Sequence, residues 1–404
     1  MPRRMGWLTR TAGKVLALCI LLAVLAPLAA GSQHKAGGAV VIAVIDTGVR
    51  PDHQEFVWGG PSSTTDQFVA WWDFSSARKP AGAAQDPFQN RVNGQVPLWD
   101  PFVTTPYDDH GHGTATASLA AGANRGACGD VPKAGYAPGA KLAVLKVSNG
   151  SAIEGDLALA IRYASEVVRA DIISLSIGGL VPFPGGLDGV AQELRAANAR
   201  GTLPVLAAGN GVYNLGLVPY PSSSTSYGHS TRSLVVGSGT RDGVTLTSTT
   251  SNGDPEVAAW GDGVCVASHV SRTGYRLDTG TSFSTPLVAG MAAAVLEAAR
   301  AAGAPADPGT LERILKHAAT DTAAPYYREG WGFLGDAEFA RARAAGAAGT
   351  LPAYTPFGGA PVNANALYEQ VVGQPARYLF EAPGTESGIR WGSRGGAPAA
   401  LLLP

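Results

Sequence analysis

Charge is scarce in this sequence. Asp, Glu, Lys and Arg make up 15% of the 404 residues, against about 25% in average proteins. The 30 basic and 31 acidic residues leave a net charge of −1, so no nucleic acid or other polyanion is expected as a partner. Cysteine numbers only three. Cys19 follows Leu18, where a lipidation site needs a small residue, so no lipid anchor is expected there. Export would permit a disulfide between Cys128 and Cys265. Sequence alone does not bring their Cα atoms within bonding distance, and two free or buried thiols are the expectation. No further His or Cys pair at ligand spacing accompanies Asp108, Asp109, His110 and His112, which argues against a metal centre in that cluster. Beyond the N-terminus nothing resembles a membrane span, since the apolar run after Ser282 is broken by Glu297 and Arg300.

Glycine and alanine, by contrast, are plentiful, as suits a compact α/β protein with close helix-sheet packing. The length leaves room for one large domain and an extension. Arg3, Arg4, Arg10 and Lys14 precede an apolar stretch over 15–26 and then the small residues Ala29, Ala30, Gly31 and Ser32. That order is a secretory signal peptide, with an uncleaved anchor as its rival. Residues 1–31 are therefore read as signal, 32–344 as the main domain, and 345–404 as an extension of unassigned role. A secreted monomer, not held at a membrane after cleavage, is expected.

Residues 278–286 read DTGTSFSTP and lead into an apolar run over 287–299. Small, hydroxyl-rich residues before a helix-forming segment place Ser282 in a first helical turn, where backbone amides favour negative charge. Taken alone, this would be only an N-cap. Three further stretches accompany it: VIAVIDTGV at 41–49, DDHGHGTATASLAAG at 108–122 and VLAAGNG at 205–211. The first is a continuous β-branched run that ends on Asp46, as a buried parallel strand does at the sheet edge where α/β sites form.

In that order the four stretches resemble the subtilisin-like serine peptidases, the subtilase family, over about residues 39–340. The resemblance implies an α/β fold, a subtilisin-like three-layer sandwich with a central, mostly parallel sheet and helices on both faces. It implies Ser282 as nucleophile, His112 as base, Asp46 as the group that orients the imidazole, and Asn210 as an oxyanion donor. It assigns Ser176, Ile177, Gly178 and Gly179, with Ala207, Ala208 and Gly209, to the substrate groove, where backbone would pair with a peptide as an added strand. The chain departs from the usual family run at Ala115 and Ser118, neither of which transfers a proton. Residues 123–133 correspond to a loop where many members bind calcium, but the Asn-rich pattern is missing, so the metal is not carried over; no cofactor is expected for the chemistry.

Two other readings share these residues. Asp-Thr-Gly occurs at both Asp46 and Asp278, as in pepsin-like aspartic peptidases with paired carboxylates, and a non-catalytic peptide-binding relative would keep the groove without turnover. The aspartic reading expects a mostly β fold and gives HGHGT and AAGN no role. The chain order Asp, His, Ser also excludes an α/β-hydrolase, and no G-x-S-x-G elbow surrounds Ser282. Residues 75–106 read as an enlarged loop. Trp58, Trp71, Trp72 and Trp99 near it either rim the groove or pin the loop to the body.

Overall fold

A computed structural model describes residues 38–353, apart from 61–65, 76–77, 82, 84, 151–154, 178, 183–188, 211–216, 221–232, 244–254, 323 and 325–328. The expected signal segment at 1–31 lies outside the described residues, as does most of the extension. The strands are β1 (Val41–Asp46), β2 (Phe68–Asp73), β3 (Ala127–Cys128), β4 (Val131–Pro132), β5 (Lys141–Lys146), β6 (Ile172–Leu175), β7 (Gly179–Pro182), β8 (Leu203–Ala207), β9 (Leu217–Tyr220), β10 (Leu234–Gly239), β11 (Val257–Trp260), β12 (Val264–Ala267), β13 (Tyr275–Asp278) and β14 (Phe333–Leu334). The helices are α1 (His112–Ala121), α2 (Leu157–Glu166), α3 (Gly189–Ala199), α4 (Thr281–Ala302), α5 (Pro308–Ala318) and α6 (Asp336–Ala348).

Eight strands form one sheet in the order β14-β11-β10-β8-β6-β1-β5-β2. Every pairing in it is parallel. Such a sheet has both faces covered, so its strands are apolar throughout rather than alternating. β1 shows the consequence: Ile42 and Val44 enter one core with Val288, Ala292 and Leu315, while Ala43 and Ile45 enter the other with Ile161 and Leu194. These are the three layers expected.

Small differences from the sequence reading have local causes. Apolar residues at Ile153, Leu157, Ala160, Ile161, Ala164 and Val168 have helical spacing, but Asp156 caps α2 by accepting from the Leu159 amide at 2.9 Å, so the helix begins at Leu157. The loop after β2 is fastened from inside. Trp71 and Trp72 are fully buried and donate from Nε1 to the carbonyls of Val103 and Gln85 at 2.7 and 2.9 Å, while the Tyr163 hydroxyl donates to that of Pro97. Lys79 and Asp100 form an ion pair at 2.8 Å with both side chains shielded. Of the two roles open to the tryptophans, pinning is the one these contacts describe; Trp58 and Trp99 also pack against the core.

The expectation of unpaired thiols is overturned. Cys128 and Cys265 form a disulfide with Cα atoms 5.6 Å apart, tying the β3-β4 hairpin to β12 across 137 residues of sequence. Nothing local announces a pairing that depends on how the intervening strands stack. Closing so long a loop restricts the unfolded chain, so replacing both cysteines by alanine is expected to cost about 2–4 kcal/mol. Urea unfolding of the Ser282→Ala protein with and without the pair measures it, and an unchanged midpoint would contradict the estimate.

Candidate active site

The expected site residues gather at the carboxyl edge of the sheet, where α/β folds keep their sites. Asp46 closes β1, Ser176 follows β6, and Ala207, Ala208, Gly209 and Asn210 run out of β8. His112 is the first residue of α1 and Ser282 the second of α4, so two helix N-termini, with their unpaired amides, face this edge.

Asp46 has no exposure to water, and its carboxylate is saturated by donors. Oδ1 accepts from the Thr47 amide and lies 2.7 Å from His112 Nδ1, and Oδ2 accepts from the Thr116 hydroxyl at 3.1 Å. A carboxylate can only accept, so the proton on this side belongs to Nδ1 and the lone pair of the neutral ring to Nε2. Burial favours the neutral imidazole, but the charge and hydrogen bond of Asp46 outweigh it, with Asp108 and Asp278 adding, and the His112 pKa is raised above its ordinary value.

The first turn of α1 is built around Asp108. Its carboxylate accepts from the amides of His110, Gly111 and Thr114 and from the hydroxyls of Thr47 and Thr114. Burial opposes its ionisation, but these bonds win and hold its pKa below the usual range. Thr47 Oγ1 in turn accepts from the Gly113 amide at 2.8 Å. Gly113 has to be glycine, because a Cβ there would lie 2.1 Å from the Gly48 carbonyl oxygen. Of the four residues weighed as a metal cluster, Asp108 is this cap, Asp109 pairs with the buried Lys146 at 2.8 Å, His110 is exposed and His112 faces Asp46.

On the other side, Ser282 Oγ donates to the Ser176 carbonyl at 3.1 Å. No bond from Ser282 to His112 occurs among the described hydrogen bonds, although the ring of Phe283, the next residue, lies 5.7 Å from that of His112. Asn210 Oδ1 accepts from the Thr281 amide at 2.9 Å and its hydroxyl at 3.0 Å, and Thr281 Oγ1 accepts from the Gly209 amide. Because Thr281 N–H must find an acceptor, the amide orientation is set: oxygen towards Thr281, nitrogen on the other branch. Gly280, at φ 147°, lets that nitrogen approach; a Cβ there would sit 3.1 Å from Nδ2.

Ser176 is buried and Ile177 half-buried, while Gly178 lies outside the described residues. Gly179, assigned through the resemblance to the substrate groove, opens β7 and pairs antiparallel with Tyr220. The two Asp-Thr-Gly turns do not meet as a carboxylate pair: Asp278 is bound to Arg276 at 3.0 Å and to the Thr279 amide at 3.1 Å, apart from the donors of Asp46. Thr47, Thr281 and the capping role of Asp108 were not singled out from sequence. Each lies inside a quoted motif, next to a residue that was.

The sequence model of the subtilase family matches residues 37–332. The chain belongs to that family. Among curated subtilases it is 28% identical to thermitase from Thermoactinomyces vulgaris over 66% of this chain and 78% of that protein. It is 36% identical to the subtilisin-like protease SBT1.5 of Arabidopsis thaliana over 43% of this chain, spanning only 24% of that longer protein. Among solved structures, the protease domain of PatA superposes with a TM-score of 0.55 at 21% identity, covering 79% of this chain and all of that one. A cold adapted subtilisin-like serine proteinase gives 0.50 at 22%, over 74% and 89% of the two chains. At these identities the structural likeness shows the fold alone.

Were His112 the group that accepts a proton, it would have to be neutral to act, so kcat/KM would rise with pH through its pKa. Because that pKa is raised, the acid limb should have its midpoint above about 6.5. Asp46→Asn removes the charge that raises it and leaves burial, so the residual activity should show the midpoint shifted to lower pH. A pH profile between about 5 and 9 checks this, and a midpoint unmoved by Asp46→Asn would separate the raised pKa from Asp46.

Proposed function

We propose that this subtilase is a secreted serine endopeptidase that cleaves peptide bonds through an acyl-enzyme. Ser282 Oγ attacks the carbonyl carbon while its proton passes to His112 Nε2. The same proton then goes to the leaving amine as the peptide bond breaks. Water adds to the acyl carbon by the reverse proton path and frees Ser282. Asp46 holds the imidazole, and the amide of Asn210 with the backbone N–H of Ser282 meets the negative charge on the carbonyl oxygen. The observation that carries this reading is the 2.7 Å bond between buried Asp46 and His112 Nδ1, which leaves Nε2 as the basic nitrogen. Ser282 must leave the Ser176 carbonyl to engage it, consistent with catalytic hydrogen bonds that tighten only on substrate binding.

The substrate would be a protein or peptide lying along Ser176–Gly179 and Ala207–Gly209, with no cofactor in the chemistry. Residues 1–31 would direct export and be removed; N-terminal sequencing of secreted protein should begin near Ser32, and a chain still starting at Met1 would contradict it. A monomer is proposed, and residues 345–404 receive no function.

Peptide hydrolysis by four variants tests the mechanism. Ser282→Ala should abolish acylation and labelling by a fluorophosphonate probe, whereas a non-catalytic relative would leave wild-type Ser282 unlabelled. Asp46→Asn should lose about 10⁴ in kcat, the value of the general triad template. Asn210→Leu should lose about 10²–10³ in kcat with little change in KM, a magnitude borrowed from subtilisin. Asp278→Asn should keep most activity. An active Ser282→Ala beside a dead Asp278→Asn would overturn the assignment in favour of carboxylate chemistry.

A further inference from the structure

The loop after α1 corresponds to one where many family members bind calcium, and its donor set can be tested against that ion. Calcium takes about six to eight oxygens at about 2.3–2.6 Å, usually with several carboxylates. Here the oxygens converge on a side chain. Lys133 Nζ donates to the Ser118 carbonyl at 2.6 Å, to Asn124 Oδ1 at 3.0 Å and to the Ala134 carbonyl at 3.2 Å, with Glu55 Oε2 at 3.8 Å. An ammonium carries three protons and no acceptor, and three oxygens stand within hydrogen-bonding reach. Both the Lys133 and Glu55 side chains are wholly shielded from solvent. The residues fit an ammonium and do not fit calcium.

We propose that the Lys133 ammonium is the resident cation of this loop, tethered to the chain in the place where relatives hold a metal ion. The surrounding bonds depend on one positive charge, not two. Glu55 supplies the single balancing carboxylate, and its oxygens already accept from the amides of Asn124 and Arg125 and from the Tyr275 hydroxyl, which also accepts from Gln54. A divalent ion in the same cage would leave a net charge buried without a partner, which is costly. Burial pushes the Lys133 pKa down to about 8, against the pull of Glu55, so the ammonium remains the main form at neutral pH. Asn124 adopts φ 57°, uncommon for a side-chain-bearing residue, and this turns its amide to Glu55 and its Oδ1 to Lys133. The loop is shaped around the ammonium as other loops are shaped around a metal.

The consequence is a local fold indifferent to chelators. Amide hydrogen exchange of residues 118–135, read by mass spectrometry in the full chain carrying Ser282→Ala to prevent self-digestion, tests it directly. The expected result is the same protection in excess EGTA and in calcium chloride, and exchange about tenfold faster in this segment when Lys133→Met removes the charge. Should Lys133→Met not fold, Lys133→Gln takes its place, and the chelator comparison needs no variant at position 133. Faster exchange of this segment in EGTA, reversed by calcium, would overturn the proposal by showing a metal in the cage. So would protection that survives removal of the ammonium.

Discussion

A carboxylate with no access to water governs this structure. Taking Asp46 out of solvent is expensive unless its oxygens are met by donors already in place, and much of the surrounding fold supplies them. The parallel register that sets Asp46 opposite Lys146 puts both at the end of their strands. Lys146 then fastens the Thr47 and Ser148 carbonyls and Asp109. Thr47 joins the Asp46 turn to Asp108, and Asp108 fixes the first turn of α1, which delivers His112 and Thr116 back to Asp46. The ring of contacts closes on itself. Removing one member leaves other buried charges without partners, so the site and the local fold are one cooperative unit.

The scarcity of charge noted in the sequence has its counterpart in how closely helices approach. α4 crosses α1 where a Cβ on Gly290 would lie 2.8 Å from the Ala120 carbonyl oxygen. Larger residues at this crossing would push the helices apart and, with them, His112 and Ser282 at their starts. Alanine and glycine along α1 and α4 therefore bear on the distance between His112 and Ser282 as much as on core packing. Contrary to the sequence reading, Glu297 and Arg300 do not keep α4 from being long and apolar enough, by length and composition, to cross a membrane, but most of it is buried inside the protein.

Much of this was legible in advance because parallel sheets write themselves plainly. β1, β5, β6, β8, β10 and β11 are continuous apolar runs, and four of the site residues stand in motifs that follow such a run or open a helix. What stayed hidden depends on long-range geometry. Cys128 meets Cys265 only because β3 packs beside the β12-β13 hairpin. Thr281 reads as a helix-start residue, and its grip on Asn210 appears only when the ends of β8 and α4 adjoin. The antiparallel pairing of Gly179 with Tyr220 likewise joins segments about forty residues apart, which no local pattern announces. Lys133 gave no signal at all, since one lysine in a polar loop is ordinarily solvated.

The two ends of α1 show how these separate features act together. A helix carries partial positive charge at its start and partial negative charge at its end, and each end leaves backbone groups unpaired. At the start stands Asp108, an anion held ionised by the very amides it caps. At the far end stands Lys133, whose ammonium donates to the Ser118 carbonyl, which already accepts from the Gly122 amide in the last turn. Opposite charges thus close opposite ends of the helix that carries His112, Lys133 buried and Asp108 half-buried, where screening by salt is weakened. The helix is also fixed along its length, by Thr116 on Asp46 and by the Ser118 hydroxyl accepting from the Ala267 amide of β12. An imidazole at the first residue of a helix so constrained has little freedom except rotation of its own side chain, and Asp46 removes that. The position of His112 Nε2 is in this way set by opposite charges at the two ends of a ten-residue helix, rather than by the bond to Asp46 alone.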